Sequence, residues 1–200
     1  MNKKEDIRIT RSKLELNKAL YELLKEKSFS KITVIDICEK AKINRMTFYN
    51  HYQDKYDLFN DSTKNGFNAL REEYENKTKK LDIHKDTYEC LSIFAEIFVE
   101  FVYHNVPVLV HILEHNDNNL ASFMFKRALD ESFSKVILDA SFNDSMNPPI
   151  SLIIAFFAGG SSSLFEYWIN HKDSLSKEDF LSYIKRAIKA VIDTNILKKL

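Results

Sequence analysis

Apolar residues along this chain recur at helical spacing. Leu16, Ala19, Leu20, Leu23 and Leu24 repeat as i, i+3, i+4, i+7, i+8, which gives one buried face of a helix ending near Lys27 and the Ser28-Phe29-Ser30 turn. Val34, Ile35, Ile37, Cys38 and Ala41 supply the apolar face of a short helix, opened by a capping box between Thr33 and Asp36. Ile43 turns the joint inward, Asn44 is a second N-cap, and a short helix follows from Arg45 to about His51. Asp54 caps a long helix running toward Lys80, with Tyr56, Leu58, Phe59, Phe67, Leu70 and Tyr74 inward. Another helix starts at Asp86 and runs through Leu91, Phe94, Phe98 and Phe101 to about His104. Pro107 then suits the first turn of a separate short helix ending near His115. Amphipathic segments follow from Asn119 to Ala140, from Pro148 to Asn170, and from a Ser176/Asp179 capping box through Leu181, Ile184, Ile188 and Val191. Period and caps together predict an all-α fold of about nine helices.

Composition narrows this picture. The chain has 200 residues, 44% hydrophobic, with only three Gly and three Pro, which argues against a sheet-rich fold. Cys38 and Cys90 are too few for a disulfide framework and have no metal spacing; the first residues lack the apolar stretch of a signal peptide. Both point to the cytoplasm. The net charge of zero conceals an uneven distribution. Residues 1–55 hold 13 Lys/Arg against 8 Asp/Glu, whereas residues 56–200 hold 16 against 21. A basic head on an acidic body concentrates positive field at one end.

That head carries the most specific stretch of the chain, Thr33 to Lys55. A short helix joined by a tight turn to another, with polar N-terminal side chains outward, is the pattern of a helix-turn-helix. Ala41-Lys42-Ile43-Asn44-Arg45-Met46-Thr47-Phe48-Tyr49-Asn50-His51-Tyr52, followed by Asp54-Lys55-Tyr56-Asp57-Leu58, resembles the tetracycline-repressor (TetR) family of bacterial transcription regulators. Thr47-Phe48-Tyr49, His51-Tyr52 and Lys55 fall at that family's characteristic positions, while Lys42 and Met46 stand where it often has Gly.

The resemblance implies a DNA-binding domain over residues 6–66 and a helical effector-binding and dimerisation domain over 67–200. It also implies a homodimer on a palindromic double-stranded operator and an unidentified small-molecule effector, with no cofactor and no membrane. Arg45 is the base-reading candidate, because a guanidinium can bond guanine O6 and N7 together. Met46 faces the bases, and Thr47 offers a methyl or a hydroxyl. Tyr49, Asn50 and His51 reach toward DNA or its backbone. Thr33 and Lys55 stand at helix N-termini where phosphate is favoured, Lys42 adds a further phosphate contact, and Asn44, which caps the reading helix, belongs to the same DNA-binding set. Phe48 and Tyr52 anchor the core.

In the body, Phe94, Phe98, Phe101, His104 and His111 are candidates for a mostly apolar ligand pocket. Phe157, Gly159, Gly160, Leu164, Trp168, Ile184, Ile188 and Val191 are candidates for a dimer interface. The Ala158-Gly159-Gly160 and Trp168 pattern resembles a subgroup with activators or coactivators of metabolic operons, the alternative to repression. Ile150–Ile169 has the length of a membrane span, but Glu166 and four serines argue for a buried or interfacial helix instead. His111-Ile112-Leu113-Glu114-His115 matches H-x-x-E-H, so a metal-dependent enzyme or metal-binding protein using His111 and His115 is the alternative of another class. No third ligand accompanies it in sequence, and the expectation is a regulator without catalysis.

Overall fold

The computed structural model describes residues 3–82, 86–113, 120–139, 150–171 and 173–193. Among these, eight α-helices and one 3-10 turn make up the architecture: α1 (Lys3–Glu26), the turn Phe29–Lys31, α2 (Val34–Ala41), α3 (Arg45–His51), α4 (Lys55–Thr78), α5 (Thr87–Leu113), α6 (Leu120–Asp139), α7 (Ile150–His171) and α8 (Lys177–Asp193).

The expected break at Pro107 is absent: α5 runs through it. A proline inside a helix removes one N–H donor and crowds the carbonyl four residues back. Here that carbonyl belongs to Tyr103, whose position is exposed, and Pro107 is itself exposed. Val106, Val108 and Leu109 around it are buried, so apolar burial holds the helix together where one backbone bond is lost. This same helix is the one described segment long and apolar enough to span a bilayer, with mean hydropathy 1.5 over Tyr88–Leu113. Half of it is buried within the protein, as a helix apolar on most faces requires in a folded core.

The chain divides into two compact units. The first comprises residues 1–66 with 107–125, and the second 67–106 with 126–200. Residues 107–125, expected in the C-terminal domain, thus group with the N-terminal unit. In the first unit the Leu16/Ala19/Leu20/Leu23/Leu24 stripe of α1 is buried with Phe29, Ile32, Ile37, Phe48, Leu58 and Phe59. Phe29 lies against Phe59 at 4.8 Å between ring centroids. Ile35, expected on the apolar face of α2, is exposed; two residues before the fully buried Ile37, it lies on the opposite side of the helix from it.

In the second unit, Tyr74, Phe94 and Ile97 form a buried cluster with Leu70, Leu91 and Ile93 packed on it. Phe98 meets Phe165 edge-on at 4.5 Å, and Trp168 stacks on Phe180 at 4.6 Å. A Ser176 hydroxyl accepts the Asp179 N–H at 3.1 Å and starts α8 as the sequence predicts. Lys177 pairs with Glu100 at 2.8 Å, and Lys185 pairs with Glu96, which fasten α8 to α5.

Candidate DNA-reading helix and its supports

Local chemistry builds α2, the joint and α3. Thr33 Oγ1 accepts the Asp36 N–H at 3.1 Å, while Asp36 Oδ2 accepts the Thr33 N–H at 2.7 Å. The backbone and hydroxyl of Thr33, with Lys27 beyond them, hold the Asp36 carboxyl at about 2, below its usual 3.8. Helix α2 ends in a Schellman arrangement: Ile43 N–H reaches Cys38 O at 3.0 Å and Lys42 N–H reaches Glu39 O at 3.2 Å. The arrangement puts Lys42 in the left-handed region, φ 55° and ψ 41°, the one positive-φ residue among those described. Asn44 then accepts the Met46 N–H at 2.9 Å through its side chain and opens α3.

The buried residues of α3 are few, so most of its surface is available. Phe48 is fully buried and Tyr52, its C-cap, nearly so. Arg45, Met46, Tyr49 and Asn50 are exposed, Met46 at 74% and Tyr49 at 57%. Thr47 is half-buried. Tyr49 is steadied by an edge contact with Phe48, 5.4 Å between centroids. Lys42 and Thr33 are also exposed, although the Thr33 hydroxyl is occupied by the cap.

Two expected backbone contacts face elsewhere. Lys55 Nζ donates to the carbonyls of Phe29, Ser30 and Ile32 at 2.9, 3.1 and 2.7 Å. An ammonium has three protons, so this one has none left for a phosphate, and burial pushes its pKa down. Lys55 joins the start of α4 to the turn before α2 instead. His51 is half-buried, with Nε2 2.6 Å from Ser12 Oγ on α1; burial, and Lys13 nearby, lower its pKa. It braces α3 against α1 rather than facing outward.

A third brace was not visible in sequence. The Tyr52 hydroxyl donates to Asp61 at 2.6 Å and accepts from Asn17 Nδ2 at 3.3 Å, and Ser62 donates to Asn17 Oδ1. Desolvation and the Asp61 carboxylate raise the Tyr52 pKa well above its ordinary value. The far end of the reading helix is therefore bonded to both α1 and α4. These partners are 9 to 45 residues apart in the chain, and no local pattern announces them.

Comparison with known proteins places this geometry. Residues 16–61 match the family described as bacterial regulatory proteins, tetR family, and residues 89–190 match its transcriptional regulator C-terminal region. The chain belongs to the TetR family. A curated Bacillus subtilis (strain 168) relative, described as the uncharacterized HTH-type transcriptional regulator YxbF, is 42% identical over 57 residues. That match covers 28% of this TetR-family chain and 15% of the relative's length, so the chain spans only a small part of the curated relative it matches. Among solved structures, one assigned to the TetR family from Syntrophomonas wolfei str. Goettingen shares 15% identity with a TM-score of 0.71, covering 96% of this chain and 99% of that one. The dihydroxyacetone kinase operon activator DhaS shares 20% identity with a TM-score of 0.60, covering 92% and 96%. At these identities the likeness is one of fold.

The remaining expected sites of this TetR-family regulator are distributed as follows. Phe101 and His104 line a cleft of about 520 Å³ in the second unit, with Leu70, Ile97, Lys177 and Leu181. Phe94 and Phe98 are instead buried in that unit's core, and His111 belongs to the first unit. Both ring nitrogens of His111 are buried without a hydrogen-bond partner among the described residues, where no cluster of three metal-binding side chains occurs. Glu114 and His115 lie outside the described residues. Trp168 is 2% exposed within its own chain, and its indole N–H donates to Leu175 O at 3.0 Å. Gly159, Gly160 and Leu164 on α7 are exposed, and Ile184 and Ile188 on α8 are half-buried. Tyr167 and Tyr183, not expected from sequence, are exposed. The side chains of Phe157 and Val191 lie outside the described set.

Proposed function

We propose that this chain is a cytoplasmic, homodimeric repressor that binds a near-palindromic operator through α3 and releases it when a small molecule occupies the C-terminal unit. The observation that carries the DNA-binding part is the outward face of α3. Arg45, Met46, Tyr49 and Asn50 are displayed on a two-turn helix whose other side is fixed by Phe48, Tyr52 and His51. A displayed N-terminal half with a braced C-terminal half suits a helix that enters a major groove. Its neighbourhood is basic, with residues 1–55 carrying an excess of five positive charges, which supplies the salt-dependent attraction to phosphate.

The exposed small and aromatic positions Gly160, Leu164, Tyr167 and Tyr183 support a subunit interface formed by α7 and α8. The cleft lined by Phe101 and His104 is the candidate effector site; Glu100, bonded to Lys177 and held below its usual carboxylate range by it, puts fixed charges at its edge. The reaction chemistry of an enzyme has no part in this reading.

Selection of genomic fragments on purified protein, followed by a mobility-shift assay and a promoter reporter, tests the proposal. One preferred inverted-repeat fragment and reduced transcription in the presence of the protein are expected. Raised transcription from that promoter would replace repression with activation, and the absence of any preferred duplex would overturn DNA reading altogether.

A further inference from the structure

Met46 has the most exposed large hydrophobic side chain among the described residues, at 74%, and it lies on the DNA-reading face of α3. An apolar side chain of this size gains nothing from water, and it could be withdrawn only by rotating a helix that three separate bonds and contacts fix. Asn44 holds the Met46 backbone at the helix start, Ser12 bonds His51, and Asp61 bonds Tyr52 at the helix end. Arg45 precedes it, Tyr49 and Asn50 lie three and four positions on, and all are exposed on the same side. The face thus sets one flexible thioether among groups that donate and accept hydrogen bonds.

We infer that Met46 reads thymine, through contact between its thioether arm and the thymine 5-methyl group in the major groove. The inference rests on the DNA-reading function above and names a chemical preference that function leaves open. A methionine side chain donates no hydrogen bond and is a poor acceptor, so it gains little from the polar edges of guanine, adenine or cytosine. The 5-methyl of thymine is the one apolar feature a base pair presents in that groove. The adjustable arm of methionine also fits a methyl whose position is set by its neighbours' hydrogen bonds. Thr47 is the other methyl-bearing side chain of the helix, but it is half-buried.

Deoxyuridine lacks only that methyl. The full-length protein would first select its preferred duplex from a randomised library, and each thymine of the duplex would then be replaced in turn by deoxyuridine. Wild-type affinity should fall about fourfold at one thymine in each half-site, the worth of one methyl group removed from water. Met46→Ala should bind thymine and deoxyuridine equally at that position, while Thr47→Ser keeps the difference. Discrimination that persists in Met46→Ala, or a wild type indifferent to every replacement, overturns the assignment and leaves DNA reading standing. Failure to select any duplex would overturn both.

Discussion

At Lys55 three backbone carbonyls converge on one ammonium, an arrangement whose loss can be measured. Lys55→Met keeps the aliphatic length and leaves those carbonyls without their charged donor. Hydrogen bonds to charged groups contribute about 1.5–3 kcal/mol, so a loss of roughly 2 kcal/mol in urea unfolding is expected. The salt dependence of DNA binding should keep its slope, whereas removal of a phosphate contact would lower it by about one charge's worth. Lys42 offers the opposite case. A side chain at φ 55° costs about 1–2 kcal/mol that glycine does not incur, offset in part by the glycine's freer unfolded state. Lys42→Gly is therefore expected to raise stability by about 1 kcal/mol in the same assay. The sequence marked Lys42 as standing where the family often has Gly, but its left-handed backbone is seen only in the structure. The task of Lys55 was not legible, because its partners lie 23 to 26 residues earlier.

Helix α2 is held at its start by a bond pattern that depends on an ionised carboxylate. Asp36 has its pKa depressed to about 2 in the folded chain, against an ordinary 3.8. The folded state thus binds this proton less readily, and the stabilisation is complete above about pH 4 and is lost as pH falls through 2. Asp36→Asn should lower the melting temperature at pH 7, and the gap to wild type should close progressively below pH 4. A constant gap down to pH 2.5 would show that the charge is unimportant to the cap. Caps were among the most legible parts of the chain: Thr33/Asp36, Asn44, Asp54 and Ser176/Asp179 all act within a few residues of themselves. The continuity of α5 was not, since Pro107 offers the same local signal whether it opens a helix or is carried inside one. What decides is the burial of Val106, Val108 and Leu109 by other elements.

The proposed dimer draws on surfaces that the described chain leaves exposed. Leu164 is 48% exposed on α7, with Gly160 and Tyr167 one turn away on either side. Leu164→Glu is expected to turn a dimer into a monomer in sedimentation and to weaken operator binding by at least tenfold, since only one half-site would then be held. An unchanged dimer would move the interface elsewhere. Trp168, another residue expected at that interface, is nearly covered by its own chain. Sequence alone cannot tell a large aromatic that meets its own chain from one that meets a second copy. In this chain the indole stacks on Phe180 and bonds Leu175 O, contacts that no local pattern announces.

The left-handed joint at Lys42 also has a consequence for how the gene can drift. A single base change in a lysine codon reaches Asn, Arg, Glu, Gln, Thr and either Ile or Met, but not Gly. Of these, Asn adopts the left-handed conformation most easily, and Thr and Ile, branched at Cβ, most poorly. The path from this joint toward a relaxed one therefore leads through Asn by one step, or through a second strained residue on the way to Gly.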